Sequence, residues 1–123
     1  MKLKITKFED LKKETLFYED AFVKDEFNAL IVKSSNYELS LKRDEMTLLS
    51  HDHEKSIEGI FRPSKLTSLG ISTEYGVTMF DVHTLYYEFD GDRAELKYKL
   101  MSQGQLVDTF HFEFEILSRR EKS

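Results

Sequence analysis

The amino-acid sequence predicts an all-β fold: a single antiparallel, up-and-down β-barrel of about eight strands or more, with at most one short helix. The last third of the chain carries this prediction, because apolar and polar residues alternate there over three successive segments between Tyr75 and Ile116. Short turns that contain glycine separate these segments. Successive side chains of a strand point to opposite faces, so each segment has one apolar and one charged face. A long antiparallel sheet of this kind can bury its apolar face and manage its edges by closing on itself.

The first half of the chain contains shorter segments of the same type. Apolar and β-branched residues concentrate in four of them, which we predict to be strands: Lys2–Phe8, Thr15–Val23, Ala29–Lys33 and Tyr37–Leu41. Ser34-Ser35-Asn36 is typical of a turn, because these short polar side chains bond to their own backbone. Phe8, Leu11 and Leu16 have a loose helical spacing, so the one short helix is predicted over Glu9–Leu16.

The second half is predicted to contain the longer strands. Met46–Ser50 and Ile57–Phe61 form a predicted hairpin around the polar stretch His51–Lys55, and Lys65–Ser72 follows as a further strand. Asp90-Gly91 predicts a tight hairpin turn, because glycine tolerates the positive φ that such turns need. Twelve residues of the last three strands are expected to point into the barrel: Thr78, Phe80, Val82, Thr84, Ala94, Leu96, Tyr98, Leu100, Phe110, Phe112, Phe114 and Ile116.

Size and composition are those of one ordinary globular domain, spanning residues 1–123, with 40% hydrophobic and 33% charged residues. The net charge of −5 argues against nucleic-acid binding, which depends on neutralising phosphates with Lys and Arg. The longest apolar run, Ala29–Val32, is too short to span a membrane, and the first residues lack the apolar segment of a signal peptide. The chain has no cysteine, which excludes disulfides and thiolate chemistry. We therefore expect a cytoplasmic protein.

No grouping of residues predicts an enzyme. The sequence lacks a Gly-x-Ser-x-Gly motif and a phosphate-binding glycine loop. His51-Asp52-His53-Glu54 is the most suggestive cluster, because two imidazoles and a carboxylate can hold zinc, but a solvated hairpin connection is the favoured interpretation. Asp81 and His83 share a strand face that we expect to be the outer one, and His111 is expected on the solvent side. Catalytic residues, metals and cofactors are therefore not expected.

Several residues of the second half carry a family resemblance: Phe61, Thr67, the pair Tyr75-Gly76, the alternating run that ends at Thr84, and Leu96–Leu100 with the closing aromatic strand. In their order and spacing they resemble the YwiB-like family, a group of uncharacterised bacterial proteins with a calycin-like (lipocalin-type) β-barrel. The resemblance covers roughly Ile57 to Ile116, and the first half only by the rhythm of its strands. It implies a barrel fold and no particular activity, because the activity of the family is unassigned. The Gly-x-Trp signature of secreted lipocalins is absent, since the chain has no Trp.

Two functional hypotheses from different classes follow. In the first, the barrel of a small cytosolic protein binds an apolar or amphipathic small molecule, with candidate contacts from Tyr75, Phe80, Thr84, Tyr98 and Phe112. Buried hydroxyls need a partner, so the tyrosines and Thr84 are expected to bond to a ligand, to water or to protein groups, including a Tyr–Thr hydrogen bond that fixes strand register. In the second hypothesis side chains fill the barrel, and the protein acts as an interaction module or homodimer through its outer strands.

Overall fold

The computed structural model describes residues 1–118, which form one antiparallel sheet of eleven strands. The strands are β1 (Lys2–Glu9), β2 (Lys12–Asp20), β3 (Phe22–Glu26), β4 (Ala29–Lys33), β5 (Tyr37–Leu41), β6 (Met46–His51), β7 (Lys55–Phe61), β8 (Leu66–Thr73), β9 (Gly76–Asp90), β10 (Arg93–Ser102) and β11 (Gln105–Leu117). The described part of the chain contains no helix, and so none that could cross a membrane. The predicted all-β, barrel-like fold class is confirmed.

The strand order is up-and-down, with one closing connection between the two ends of the chain. Strands β3 to β11 each pair with their sequence neighbours, β11 then pairs with β1, and β1 pairs with β2. The two edges of the sheet, β2 and β3, are joined by Ala21, whose N–H donates to the carbonyl of Met1 at 2.9 Å. Within residues 1–118 no backbone ladder links these edges, although the ring of Phe17 in β2 lies 4.7 Å from that of Tyr37 in β5. The sheet is therefore a curled half-barrel.

The short helix predicted over Glu9–Leu16 is wrong. Asp10 has a φ of 54° in the turn after β1, and the chain then returns as strand β2, which pairs with β1 along its length. A helix of two turns has a costly nucleus and few hydrogen bonds to offset it. Pairing with β1 satisfies the same backbone groups and places Phe17 opposite Ile5 in the interior.

The predicted inward face of the last three strands is confirmed except at Thr78, which is exposed near the start of β9. The other eleven residues of the set are buried or half-buried. A β-bulge interrupts β9, because Tyr98 pairs with Thr84 whereas Lys97 pairs with Tyr86, leaving Leu85 as an extra residue. After the bulge the inward positions change phase, and Tyr87 is buried.

One part of the interior is completely packed. Eight large side chains of the interior have no solvent exposure; Phe61 and Leu96 border the cavity described below, and we call the other six the filled core: Leu3, Val32, Leu39, Leu41, Met46 and Val82. Full burial of an aliphatic side chain of this size stabilises the fold by about 1.5–3 kcal/mol. The filled core thus anchors the sheet against which the remaining interior is arranged.

Candidate functional site

An apolar cavity of about 330 Å³, partly open to solvent, lies within the half-barrel. Strands β1, β2, β5 to β8, β10 and β11 all contribute to its lining. Aliphatic side chains form one wall, including Leu48, Ile57 and Ile71. They reach the cavity because each lies on the inward face of a strand whose alternate residues face outward. The cavity is therefore a product of the same alternation that builds the filled core.

Aromatic side chains form another part of the lining, and we call this set the aromatic wall: Phe61, Tyr98, Phe110, Phe112 and Phe114. The ring of Tyr98 lies 4.7 Å from that of Phe61 and 5.3 Å from that of Phe110. Phe110 and Phe112 are stacked at 5.9 Å with an interplanar angle of 8°. Since alternate residues of β11 stand on one face of the strand, their rings line up along it. The wall is continuous and presents ring surfaces to the cavity.

Three polar side chains also line the cavity, and we call them the polar rim: Tyr37, Ser50 and Lys55. Tyr37 and Ser50 are direct partners in the ladder between β5 and β6. Burial raises the pKa of Tyr37 above its ordinary value; the hydrogen bond with Ser50 opposes this shift, and the charge of Asp52 adds to it. Lys55 is exposed at the first position of β7 and forms no ion pair with a carboxylate among residues 1–118.

The hairpin between β6 and β7 positions Lys55. The Oδ1 atom of Asp52 accepts hydrogen bonds from the backbone N–H groups of Glu54 at 2.8 Å and Lys55 at 3.0 Å. These two hydrogen bonds hold the pKa of Asp52 below its ordinary value. Asn36 braces the same hairpin by donating from Nδ2 to the carbonyl of His51 at 3.0 Å. The cluster His51–Glu54 thus forms a hairpin connection, and no group of three His, Asp or Glu side chains within residues 1–118 has a geometry suited to a metal.

The structure separates the five residues proposed from sequence as ligand contacts. Tyr98 and Phe112 line the cavity, whereas Phe80 packs against the core outside the lining. The interior placement of Tyr75 is wrong, because it is 92% exposed in the turn between β8 and β9. The physical reason is the next residue, Gly76, whose φ of 127° turns the chain before the alternating strand begins.

Thr84 does not line the cavity and is only 2% exposed. Its Oγ1 has no hydrogen-bond partner among the residues that the structure describes, so the Tyr–Thr hydrogen bond considered from sequence is not formed. Tyr98 is its direct partner in the β9–β10 ladder. Burial raises the pKa of Tyr98, and the charge of Asp108 raises it further. Tyr98 and Thr84 are thus neighbours in the ladder whose hydroxyls do not bond to each other.

Sequence reasoning did not single out the polar rim, although a signal was present. Lys55, Ile57 and Phe61 alternate with polar or outward residues, which places Lys55 on the inward face of β7. Ser50 shares the same relation to Leu48 on β6. The sequence interpretation includes Lys55 in the polar hairpin connection His51–Lys55 and so does not consider the strand face on which Lys55 lies.

The charged residues of the last two strands form a separate network outside the barrel. Arg93 bonds to Glu113 and also to Glu95 at 3.4 Å, and His111 Nε2 lies 2.6 Å from Glu95 Oε2. Hydrogen bonding to Glu113 raises the pKa of Arg93. The ring of His111 also packs on that of Phe8 at 4.7 Å. These side chains lie on the outward face and do not reach the cavity lining.

The fold and the cavity define a small β-barrel-like protein with an apolar interior site. No protein-family model matches the chain, and the search of curated proteins gives no match. Among solved structures, the chain is similar to the YwiB protein from Bacillus subtilis, with a TM-score of 0.63 and 13% sequence identity. The match covers 95% of this chain and 89% of that protein. At this identity the likeness shows the fold alone: the chain has a YwiB-like fold.

Proposed function

We propose that this protein is a small-molecule-binding module that holds an apolar or amphipathic ligand in its interior cavity. The cavity itself supports this proposal, because it measures about 330 Å³ beside a core whose side chains are fully buried. Protein interiors are close-packed and contain few voids larger than a water molecule. Atoms that line an empty space lose dispersion contacts, and a ligand of matching shape restores them.

The cavity volume sets the size of the ligand. An apolar cavity of about 150 Å³ accepts benzene, so a cavity of about 330 Å³ accepts about twice as many heavy atoms, or about a dozen. A straight chain of about ten carbons with one polar head has this size. The mainly aliphatic and aromatic lining suits the chain, and the polar rim suits the head.

The YwiB-like fold and the residues of the second half that resemble the YwiB-like family support one further part of the proposal, namely a place in that family and a calycin-like barrel. A cytoplasmic location also belongs to the proposal, and the absence of cysteine supports it.

The proposal is tested by titrating 1-decanol into the wild type and into two variants that make the same substitution at different places. Leu48→Phe adds a ring to the cavity lining, whereas Leu66→Phe adds it at an exposed position. We expect one molecule of 1-decanol to bind per chain to the wild type and to Leu66→Phe. We expect Leu48→Phe to melt cooperatively and to bind at least about tenfold more weakly, because the ring occupies the space of the chain. Equal binding by Leu48→Phe, or no binding by the wild type, would contradict the proposal.

A second candidate function is interaction through the outside of the sheet, as a homodimer or with another protein. The outer face of β9 favours it, because Val77 and Met79 are exposed next to each other and lie over Gly70 of β8. Sedimentation of the wild type and of Met79→Lys distinguishes the two candidates. A dimer that the substitution dissociates would support this candidate, and a monomer at high concentration would remove the homodimer from consideration.

A further inference from the structure

We propose that the ligand of this cavity carries an anionic head group of the carboxylate type, held by the polar rim with Lys55 as its cationic partner, and that its chain lies along the aromatic wall. This inference rests on the proposed function and names the class of ligand for the same site. Three features of the structure favour a negative head group: the charge of the lining, the hydrogen-bond donors beside Lys55, and the position of the nearby acidic groups.

The charge of the cavity lining favours an anionic head group. Lys55 is the one charged side chain among the residues that line the cavity in the described part of the chain. It shares the inward face of β7 with Ile57 and Phe61, so an exposed, charged residue stands at the end of an otherwise apolar strand face. Its charge helps to lower the pKa of Asp52, after the two backbone hydrogen bonds, but within residues 1–118 it forms no direct ion pair that an anion would have to displace.

The second feature is the set of hydrogen-bond donors beside Lys55. Tyr37 and Ser50 place two hydroxyls at the same rim, as partners in one ladder. The raised pKa of Tyr37 keeps its phenol protonated at neutral pH, where it can donate. The hydrogen bond between Tyr37 and Ser50 uses one of their two O–H donors and leaves the other for a ligand. A carboxylate accepts several hydrogen bonds and has no proton to give, so it matches the ammonium group of Lys55 and this remaining O–H donor.

The third feature is the position of the acidic groups near the rim. Asp52 lies close enough to affect Tyr37, but its carboxylate accepts two backbone N–H groups of the hairpin and does not line the cavity. Asp108 acts on Tyr98 from an exposed position outside the lining. Lys7, whose Nζ lies 5.5 Å from the ring centre of Phe110, is also outside the lining. Among the described residues that line the cavity, the charged side chain is therefore a cation, Lys55.

The test compares three probes with the same ten-carbon chain: decanoate, 1-decanol and decylammonium, each titrated below its micellar concentration at neutral pH. We expect decanoate to bind about fivefold more tightly than 1-decanol, because its carboxylate forms a charge-assisted hydrogen bond with Lys55. The preference is modest because Lys55 is exposed, and such a bond contributes less at an exposed rim than in a buried site. Decylammonium should bind more weakly than either. Lys55→Met should abolish the preference for decanoate and leave 1-decanol binding within about twofold of the wild type.

Lys65→Met is the matched control, since it removes the same charge from the turn that follows β7, at the opposite end of that strand from Lys55. It should bind all three probes as the wild type does. If decanoate binds no better than 1-decanol, or if Lys65→Met lowers decanoate binding as much as Lys55→Met does, the inference about the head group is overturned while the proposed function stands. If the wild type binds none of the three probes, both fail together.

Discussion

The interior of this half-barrel has two parts that differ in packing although they come from the same sequence pattern. In the filled core, side chains such as Leu39 and Met46 have no solvent exposure. In the cavity, Leu48 is half-buried and faces about 330 Å³ of space, although it is the direct ladder partner of Leu39. Two leucines on neighbouring strands thus have the same orientation and different surroundings. Alternation along the strand determines which face of the sheet a side chain lies on. The curvature of the sheet determines whether side chains from other strands pack against it.

Truncation of the two leucines should give the largest difference in stability. Leu39→Ala should lower the free energy of unfolding by about 2–5 kcal/mol, because it opens a new void in a packed region. Leu48→Ala should cost about 1 kcal/mol, since it enlarges a space that already exists and removes fewer contacts. Chemical denaturation of both variants measures the difference. Equal losses would show that the interior around Leu48 is as tightly packed as the filled core.

The next effect concerns Tyr98, which borders both parts of the interior. Its pKa is raised above the ordinary value of 10.0, so the folded state holds this proton more tightly than the unfolded state does. Stability from this group is complete below about pH 10 and is lost as the pH rises further. Tyr98→Phe should therefore gain on the wild type by about 1 kcal/mol between pH 9 and pH 11.

Urea unfolding at several alkaline pH values measures this change. The control is Tyr75→Phe, which removes a hydroxyl from the exposed turn between β8 and β9. Its difference from the wild type should stay constant over the same range. If Tyr98→Phe and Tyr75→Phe respond to pH in the same way, the hydroxyl of Tyr98 is not buried.

The smallest expected change in stability comes from Thr84, a buried residue outside the cavity lining. Thr84 places an Oγ1 without a partner among the described residues in a site with 2% exposure. Thr84→Val has nearly the same shape and removes the cost of burying an unbonded hydroxyl, so it should stabilise the protein by about 0.5–1 kcal/mol. Thermal unfolding detects the shift. A loss of stability would mean that the hydroxyl has a bonding partner, and weaker binding of 1-decanol by this variant would place Thr84 in contact with the ligand, as the sequence predicted.

The sequence was most informative about the fold where strands are long. In β10 and β11 the unbroken alternation identified the inward residues, including Tyr98 and Phe112, both of which line the cavity. It was least informative at β2, where a loose apolar spacing suggested a helix and pairing with β1 produced a strand. Local patterns are weak where tertiary pairing satisfies the backbone instead.

The candidate site could be predicted only in part, for a physical reason. Residues from one strand reveal their common face, but a cavity depends on distances between strands that are far apart in sequence. The polar rim joins Tyr37, Ser50 and Lys55 from three strands, and their meeting depends on the ladders that place β5, β6 and β7 side by side. The interior placement of Tyr75 was wrong for a local reason. Gly76 turns the chain between Tyr75 and the alternating run of β9, so Tyr75 does not share the inward face of that strand.

Xenon binding under pressure tests directly whether the interior of the half-barrel contains a cavity that accepts an apolar molecule. Crystals of the wild type and of Leu48→Phe, pressurised with xenon, would show whether such an atom enters, since apolar cavities of this kind take up xenon. We predict xenon in the wild type between Ile57 and the ring of Tyr98, and no xenon there in Leu48→Phe. A wild-type crystal with no xenon inside the barrel would contradict the account.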